Sequence, residues 1–369
     1  MKTSLGLVLL VCCLLPTCSP QNPIEAALAS NQPEVRQVME NRAAHDVRVL
    51  YTEIIRNEDG SVHFTDYSYG VDDSKYFYPA STVKLPVLLL ALEKLQTLDE
   101  VNRYSRYTVG ESTIGSSLTN DLWQILVASD DAAYNRLFEF LGKDDINRRL
   151  QAKGIKARIS HRLSIPDSDL LPTQPVRFSR AAAEPLQIGP IDNTAIEILP
   201  LQNLIKGEAF MENGKLISAP FDFSEKNYLP LSSLHGIMKR LLFPQAFSES
   251  ERFDLSDEHR SIVLQAMRTV PREAGYDEAE YPDSRLKYLL FGDSNERLPE
   301  HIKITNKVGL AYGTLTDTAY IVDHQQQREF LISATVHVNA NGIFNDNQYE
   351  YDGIGKPFLA ELGRQLVLD

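Results

Sequence analysis

Phe77-Tyr78-Pro79-Ala80-Ser81-Thr82-Val83-Lys84-Leu85-Pro86-Val87-Leu88-Leu89-Leu90 is the stretch on which the fold of this chain turns. From Thr82 to Leu95 the sequence is apolar nearly all round (Val83, Val87, Leu88, Leu89, Leu90, Leu92), the pattern of a helix buried at the centre of a domain. Pro86 falls within the opening turns, where proline is best tolerated. Ser81 stands at the helix start, where free backbone N–H groups and the positive end of the dipole favour an oxyanion. Lys84 returns to the same face. A buried ammonium is costly, so the lysine pKa falls and the amine can take the serine proton. Ser-x-x-Lys alone says little, because a serine cap followed by an early lysine is common. Its weight depends on the rest of the chain.

Working outward on the N-terminal side, Val47 to Ile55 alternates as a strand, Asn57-Glu58-Asp59-Gly60 makes a turn and Ser61 to Tyr69 returns as a second strand. Before them, Ile24 to Asn41 carries Ala27, Val35, Val38 and Met39 at the spacing of one amphipathic helix. On the C-terminal side, helices are expected over Leu118 to Ala128, Ala132 to Leu141, Ser233 to Leu242 and Asp257 to Met267. Strands are expected over Ile302 to Leu310, Thr316 to Val322 and Phe330 to Val338, with a closing helix over Ile354 to Leu366. Strands at both ends with helices between them predict an α+β (α/β/α) fold. An antiparallel sheet assembled from the two ends is flanked by helices, and the middle of the chain forms a mostly helical lobe. The irregular, proline-rich region around 167–228, with a small hairpin at Glu212-Asn213-Gly214, reads as an insertion.

Two further elements bear on chemistry. Ser129-Asp130-Asp131-Ala132-Ala133-Tyr134-Asn135 lies between two expected helices, where Ser129 or Asp130 can simply cap the second. Asn135, on its second turn among apolar neighbours, asks for a polar partner. Lys307-Val308-Gly309 enters a strand and is followed by Tyr312-Gly313-Thr314; a lysine beside a glycine can present charge and backbone N–H groups to a carboxylate at close approach.

With Ser81 and Lys84, then Ser129 and Asp130, then Lys307 and Gly309 in this order, the chain resembles the class A serine β-lactamases, within the penicillin-recognising serine hydrolases marked by Ser-x-x-Lys, Ser-Asp-Asn and Lys-Thr-Gly. The likeness extends to Tyr312-Gly313-Thr314-Leu315-Thr316-Asp317 and to Tyr349-Glu350-Tyr351, Ile354-Gly355 and Phe358-Leu359 near the end; it covers roughly Ile24 to Gly154 and Leu229 to Asp369. The resemblance implies a β-lactamase/transpeptidase-like fold in which Ser81 forms an acyl-enzyme and Lys84 deprotonates it or relays its proton. Ser129 would pass a proton to the leaving nitrogen, and Lys307 would hold the substrate carboxylate. The backbone N–H groups of Ser81 and Leu310 would form the oxyanion hole, with Asp131 and Gly309 also at the substrate. It implies no cofactor, and a small-molecule or peptidoglycan-like substrate.

Three departures matter. Asp131 stands where the family has asparagine, and an ionised carboxylate cannot donate the amide hydrogen bond. Val308 replaces a threonine or serine, removing one hydroxyl from the substrate carboxylate. Class A enzymes activate the hydrolytic water with a loop glutamate, but the corresponding stretch, Arg158 to Asp169, contains none. Asp167 or Asp169 is the candidate substitute, though a shorter side chain displaces the water, and such misplacement can cost about 10²-fold in rate. The expected function is therefore a serine hydrolase acting on β-lactams or a related amide or ester. The alternatives are a penicillin-binding or sensing protein that does not turn over, and a D-alanyl carboxypeptidase.

The remaining features bound the setting. Of 369 residues, 43% are hydrophobic and 24% charged, a globular balance, and the net charge of -13 argues against nucleic-acid or anionic-lipid binding. Lys2 and the apolar run Leu5 to Leu15 read as an export signal over residues 1–18, too short for a permanent span, leaving 19–369 as the hydrolase domain. All three cysteines (Cys12, Cys13, Cys18) fall in this leader. Cys18, in Leu15-Pro16-Thr17-Cys18-Ser19, is either a lipidation site tethering the protein to a bacterial envelope membrane or passed over by ordinary cleavage near Ser19, giving a free periplasmic protein. No histidine pattern suggests a metal; His161 is of interest because it lies in the loop beside the expected site.

Overall fold

The computed structural model describes residues 22–368 apart from residue 182; the expected export signal over residues 1–18, with Cys18, lies outside the described residues. Its centre is a five-stranded sheet built from β1 (Arg48–Arg56), β2 (Val62–Tyr69), β3 (Ile302–Ala311), β4 (Thr314–Asp323) and β5 (Arg328–His337). The order is β3-β4-β5-β1-β2, every neighbouring pair antiparallel, so the two ends of the chain meet where β5 pairs with β1. This is the expected α+β arrangement, and β3, which carries Lys307, is an edge strand.

Each face of the sheet buries its own core. On one side Val308, Leu315, Ala319, Phe330 and Ile332 pack with α1 (Pro23–Leu28), α2 (Pro33–Met39) and the closing helix α9 (Lys356–Val367). The other side faces α3 (Lys84–Leu95), α4 (Leu118–Val127), α5 (Asp131–Leu141), α6 (Lys143–Ala152), α7 (Leu231–Leu242) and α8 (Asp257–Arg268). Every residue of α3 except Lys94 is buried. Its six leucines each contribute about 1.5–3 kcal/mol by burial, which fixes this helix, and the serine turn before it, at the centre of the molecule.

The sequence expectations are corrected at three places. The single helix over Ile24 to Asn41 is two helices, because Pro33 lacks an N–H and cannot continue α1; it instead opens α2. Ser81 does not lie on the α-helix but in a 3₁₀ turn, Ala80–Val83, that leads into it. Helix α6 was not expected, because half of its residues are charged and its buried apolar residues reduce to the pair Ile146 and Leu150.

The region 167–228 is held by short pairings. Val176–Phe178 pairs with Tyr107–Val109 and Leu186–Ile188, and the expected hairpin forms as Ala209–Glu212 with Lys215–Ile217, adding to Ile343–Phe344. Phe221 and Phe223 join Tyr76, Tyr78, Tyr312 and Phe344 in an aromatic cluster. This region is thereby packed against the end of the sheet nearest Ser81.

Candidate active site

Ser81 is presented by backbone geometry more than by a cap. Ala80 before it has φ +47, a left-handed conformation that an alanine adopts only under constraint. The constraint is visible: Thr82 donates from its N–H and its hydroxyl to the Pro79 carbonyl (3.1 and 2.6 Å), tightening the turn beneath the serine. Gly309 on β3 lies directly against this turn. A Cβ there would stand 2.6 Å from the Pro79 carbonyl oxygen and 3.0 Å from Thr82 Cγ2. Glycine is thus required for the edge strand to approach Ser81. Gly309→Ala is expected to cost about 1–3 kcal/mol through overpacking and to slow chemistry at Ser81 by roughly 10²-fold through misplacement; thermal melts and acylation rates of the two proteins check it.

Lys84, fully buried, places its Nζ 2.6 Å from Asp131 Oδ1 and 3.4 Å from Ser129 Oγ, and also donates to the Ser129 carbonyl. Burial lowers its pKa, opposed by the charges of Asp131 and Asp130. Ser129, itself left-handed at φ +57, sits in the bend between α4 and α5. Lys307 reaches across from β3 and donates to Ser129 Oγ at 2.9 Å and to the Val308 carbonyl at 2.8 Å. Burial, and then the charge of Lys84, hold the Lys307 ammonium well below the usual lysine range. One hydroxyl therefore accepts from two lysines, leaving its own proton to donate elsewhere. The hydroxyl of Ser81 makes no hydrogen bond among the described residues and is open to a reacting group.

A cleft of about 460 Å³ is lined by Ser81, Asp131 and Leu310 among others, with Lys84 behind Asp131. Both backbone N–H groups implied for the oxyanion hole thus belong to residues of one cleft. Other expectations fare differently. Val308 is turned into the core beneath the terminal helices, so the missing hydroxyl is not a loss to the cleft. Asp167 and Asp169 are exposed and absent from the cleft lining, with Ser164, Ile165, Pro166 and Ser168 in their place. Asn135 holds the loop: its amide donates to the Leu163 carbonyl (2.9 Å) and accepts from the Leu163 N–H (2.8 Å). Asp317 lies behind β3 in a buried cluster, accepting from Asn306 (2.8 Å), which in turn accepts from Lys287 (2.6 Å).

His161 lines the cleft but is committed to structure. Its Nδ1 is 2.5 Å from the Arg162 carbonyl and its Nε2 accepts from the Asn227 N–H at 3.3 Å; burial pushes its pKa down to about 4, so it is neutral at ordinary pH.

Sequence reasoning missed the groups that shape this cleft. Glu139 and Arg162 form a buried two-pronged pair at 2.5 and 3.0 Å, and Arg162 also donates to the carbonyls of Leu170 and Pro172. A carboxylate set among Phe138, Phe140 and Leu141 on an otherwise buried stretch was the available signal. Tyr78 and Tyr312 meet edge to face at 4.8 Å and form one wall, while Lys226 of the region 167–228 adds a cation with no carboxylate partner among the described residues. Nothing in the sequence marked Lys226. Also among the described residues, no group of three or more His, Cys, Asp or Glu side chains is placed to hold a metal ion.

Residues 33–190 match the model of the beta-lactamase enzyme family, a segment that includes Ser81, Lys84, Ser129 and Asp131 but not Lys307. Among solved structures, the beta-lactamase from Desulfarculus baarsii DSM 2075 is 14% identical, with 93% of this chain and 97% of that one covered and a TM-score of 0.51. A beta lactamase from Burkholderia vietnamiensis is 13% identical, with 92% and 95% covered and a TM-score of 0.51. At these identities the likeness is one of fold. No curated protein matches the sequence significantly.

Proposed function

We propose that the chain is a divergent member of the β-lactamase-like serine hydrolases and works through an acyl-enzyme on Ser81, formed from a β-lactam or a related amide or ester; the family match over residues 33–190 and the β-lactamase-like fold support this reading. The observation that carries this reading is the meeting of Lys84, Ser129 and Lys307, from three separate chain segments, beside the cleft that Ser81 lines.

In the proposed acylation, neutral Lys84 takes the Ser81 proton as Oγ attacks the carbonyl carbon. The oxyanion that develops is received by the N–H groups of Ser81 and Leu310. The proton then passes from Lys84 to Ser129, whose own proton goes to the leaving nitrogen. Lys307 orients Ser129 and draws an anionic substrate into the cleft. The substrate class is a small molecule or peptidoglycan-like peptide bearing a carboxylate. In keeping with this, the leader is taken to export the protein to the periplasm, free or lipidated at Cys18.

A second reading, a penicillin-binding sensor with slow turnover, is favoured by one observation: the loop 158–169 brings no carboxylate into the cleft. A D-alanyl carboxypeptidase would instead release terminal D-alanine from peptidoglycan peptides.

Incubation with benzylpenicillin followed by intact-mass and peptide analysis tests the common core. The expected result is one covalent adduct on Ser81; an unlabelled protein overturns the β-lactam reading. The labelling rate also has a signed pH dependence. The ammonium form of Lys84 is inactive as a base, and burial lowers its pKa. The rate therefore rises with pH and reaches its plateau below the free-lysine value of about 10.4. A rate still climbing above that value removes Lys84 as the base.

A further inference from the structure

We propose that Asp131 is the general base that hydrolyses the acyl-enzyme, in place of a carboxylate from the loop 158–169. The proposal rests on the acyl-enzyme reading above and extends it to the second half of the cycle.

Asp131 is the only acidic residue lining the cleft among the described residues. Its competitors are otherwise engaged: Asp130 caps α5, accepting from the Ala133 N–H at 2.7 Å, and Asp167 and Asp169 lie on the exposed surface. Asp131 opens α5, so the helix fixes its backbone, and its side chain is 35% exposed, enough to meet water. Oδ1 is held by Lys84 at 2.6 Å, and the carboxylate has no other hydrogen-bond partner among the described residues. Oδ2 is thus available to a water molecule next to Ser81.

The proton inventory closes. After acylation Lys84 has given up the serine proton through Ser129 and is again neutral, so no ammonium faces Asp131 as it receives a proton. Water attacks the acyl carbon, its oxygen forming the new C–O bond while Asp131 takes one proton. The tetrahedral intermediate collapses by breaking the bond between carbon and Ser81 Oγ. Asp131 passes its proton to Lys84 across the 2.6 Å contact, and the ammonium so formed protonates that oxygen. Free serine, carboxylic acid product, neutral Lys84 and ionised Asp131 are restored. An asparagine at this position has no acid–base chemistry to offer. The substitution that breaks the Ser-Asp-Asn motif is thus the one that supplies the missing base.

The test compares the lifetime of the benzylpenicillin adduct on Ser81 in wild type, Asp131→Asn and Asp131→Glu by rapid-quench mass spectrometry. Losing a general base is worth roughly 10²–10⁴-fold, so the adduct of Asp131→Asn should persist at least 10²-fold longer than that of wild type while still forming. Asp131→Glu, which keeps a carboxylate, should recover much of the release. Equal lifetimes in wild type and Asp131→Asn, short or long, overturn the proposal and leave the acyl-enzyme intact. A wild-type protein that takes no label overturns the acyl-enzyme reading on β-lactams and this proposal with it.

Discussion

Ser81→Ala abolishes covalent labelling by a penicillin probe while leaving the protein as stable as the wild type. The first half follows from chemistry: without Oγ no ester can form, and Lys84, buried beside Asp131 and Ser129, has no open approach to a carbonyl. Any residual turnover comes from binding and the oxyanion hole alone, lower by on the order of 10⁴-fold or more. The second half follows from packing. The Ser81 hydroxyl makes no hydrogen bond among the described residues, and the strained Ala80 backbone is held by Thr82 and Pro79, so the change falls within about 0.5 kcal/mol. The check is intact-mass labelling beside a thermal melt. Undiminished labelling of a folded Ser81→Ala protein would remove Ser81 as the nucleophile.

Glu139→Ala is the substitution expected to destabilise the fold most. Glu139 and Arg162 have side chains only 5% exposed each, and the carboxylate also accepts from the Gln174 N–H at 2.7 Å. Removing it leaves a guanidinium buried without a counter-charge, at a cost of about 3–5 kcal/mol. Because Arg162 ties together the carbonyls of Leu170 and Pro172, the segment 160–174 that walls the cleft should loosen too, and acylation of the remaining folded protein should slow. Urea unfolding measures the first effect. The double substitution Glu139→Leu with Arg162→Met, which removes both charges, is expected to recover most of the stability. A loss below about 1 kcal/mol in Glu139→Ala would mean that water reaches this pair.

Both substitutions show how unevenly the site was legible. Ser81 and Lys84 were readable because a small chemical motif opened a helix apolar nearly all round, and Ser129 and Lys307 gave that motif its meaning by their order. The pair Glu139 and Arg162 was not, since its members lie on different elements and neither belongs to a periodic pattern. The role of Val308 was misjudged for a simpler reason. A motif fixes residue order, while the alternation of a strand fixes which side faces the cleft, and Val308 faces the terminal-helix core. Asp167 and Asp169 were candidates by proximity in sequence, and the loop turns both outward.

By itself, then, the sequence determined the sheet, its assembly from both ends of the chain, the buried helix behind Ser81 and the hairpin at Glu212-Asn213-Gly214. All of these follow from local periodicity and turn chemistry, which act over a few residues. Only the tertiary structure decided that Gly309 closes on the Pro79 turn, that one serine hydroxyl receives both lysines, and that Asp131 is the carboxylate left facing the cleft. These depend on distances between segments far apart in the chain. Such distances are set by how two cores pack against a shared sheet, and no local pattern encodes them.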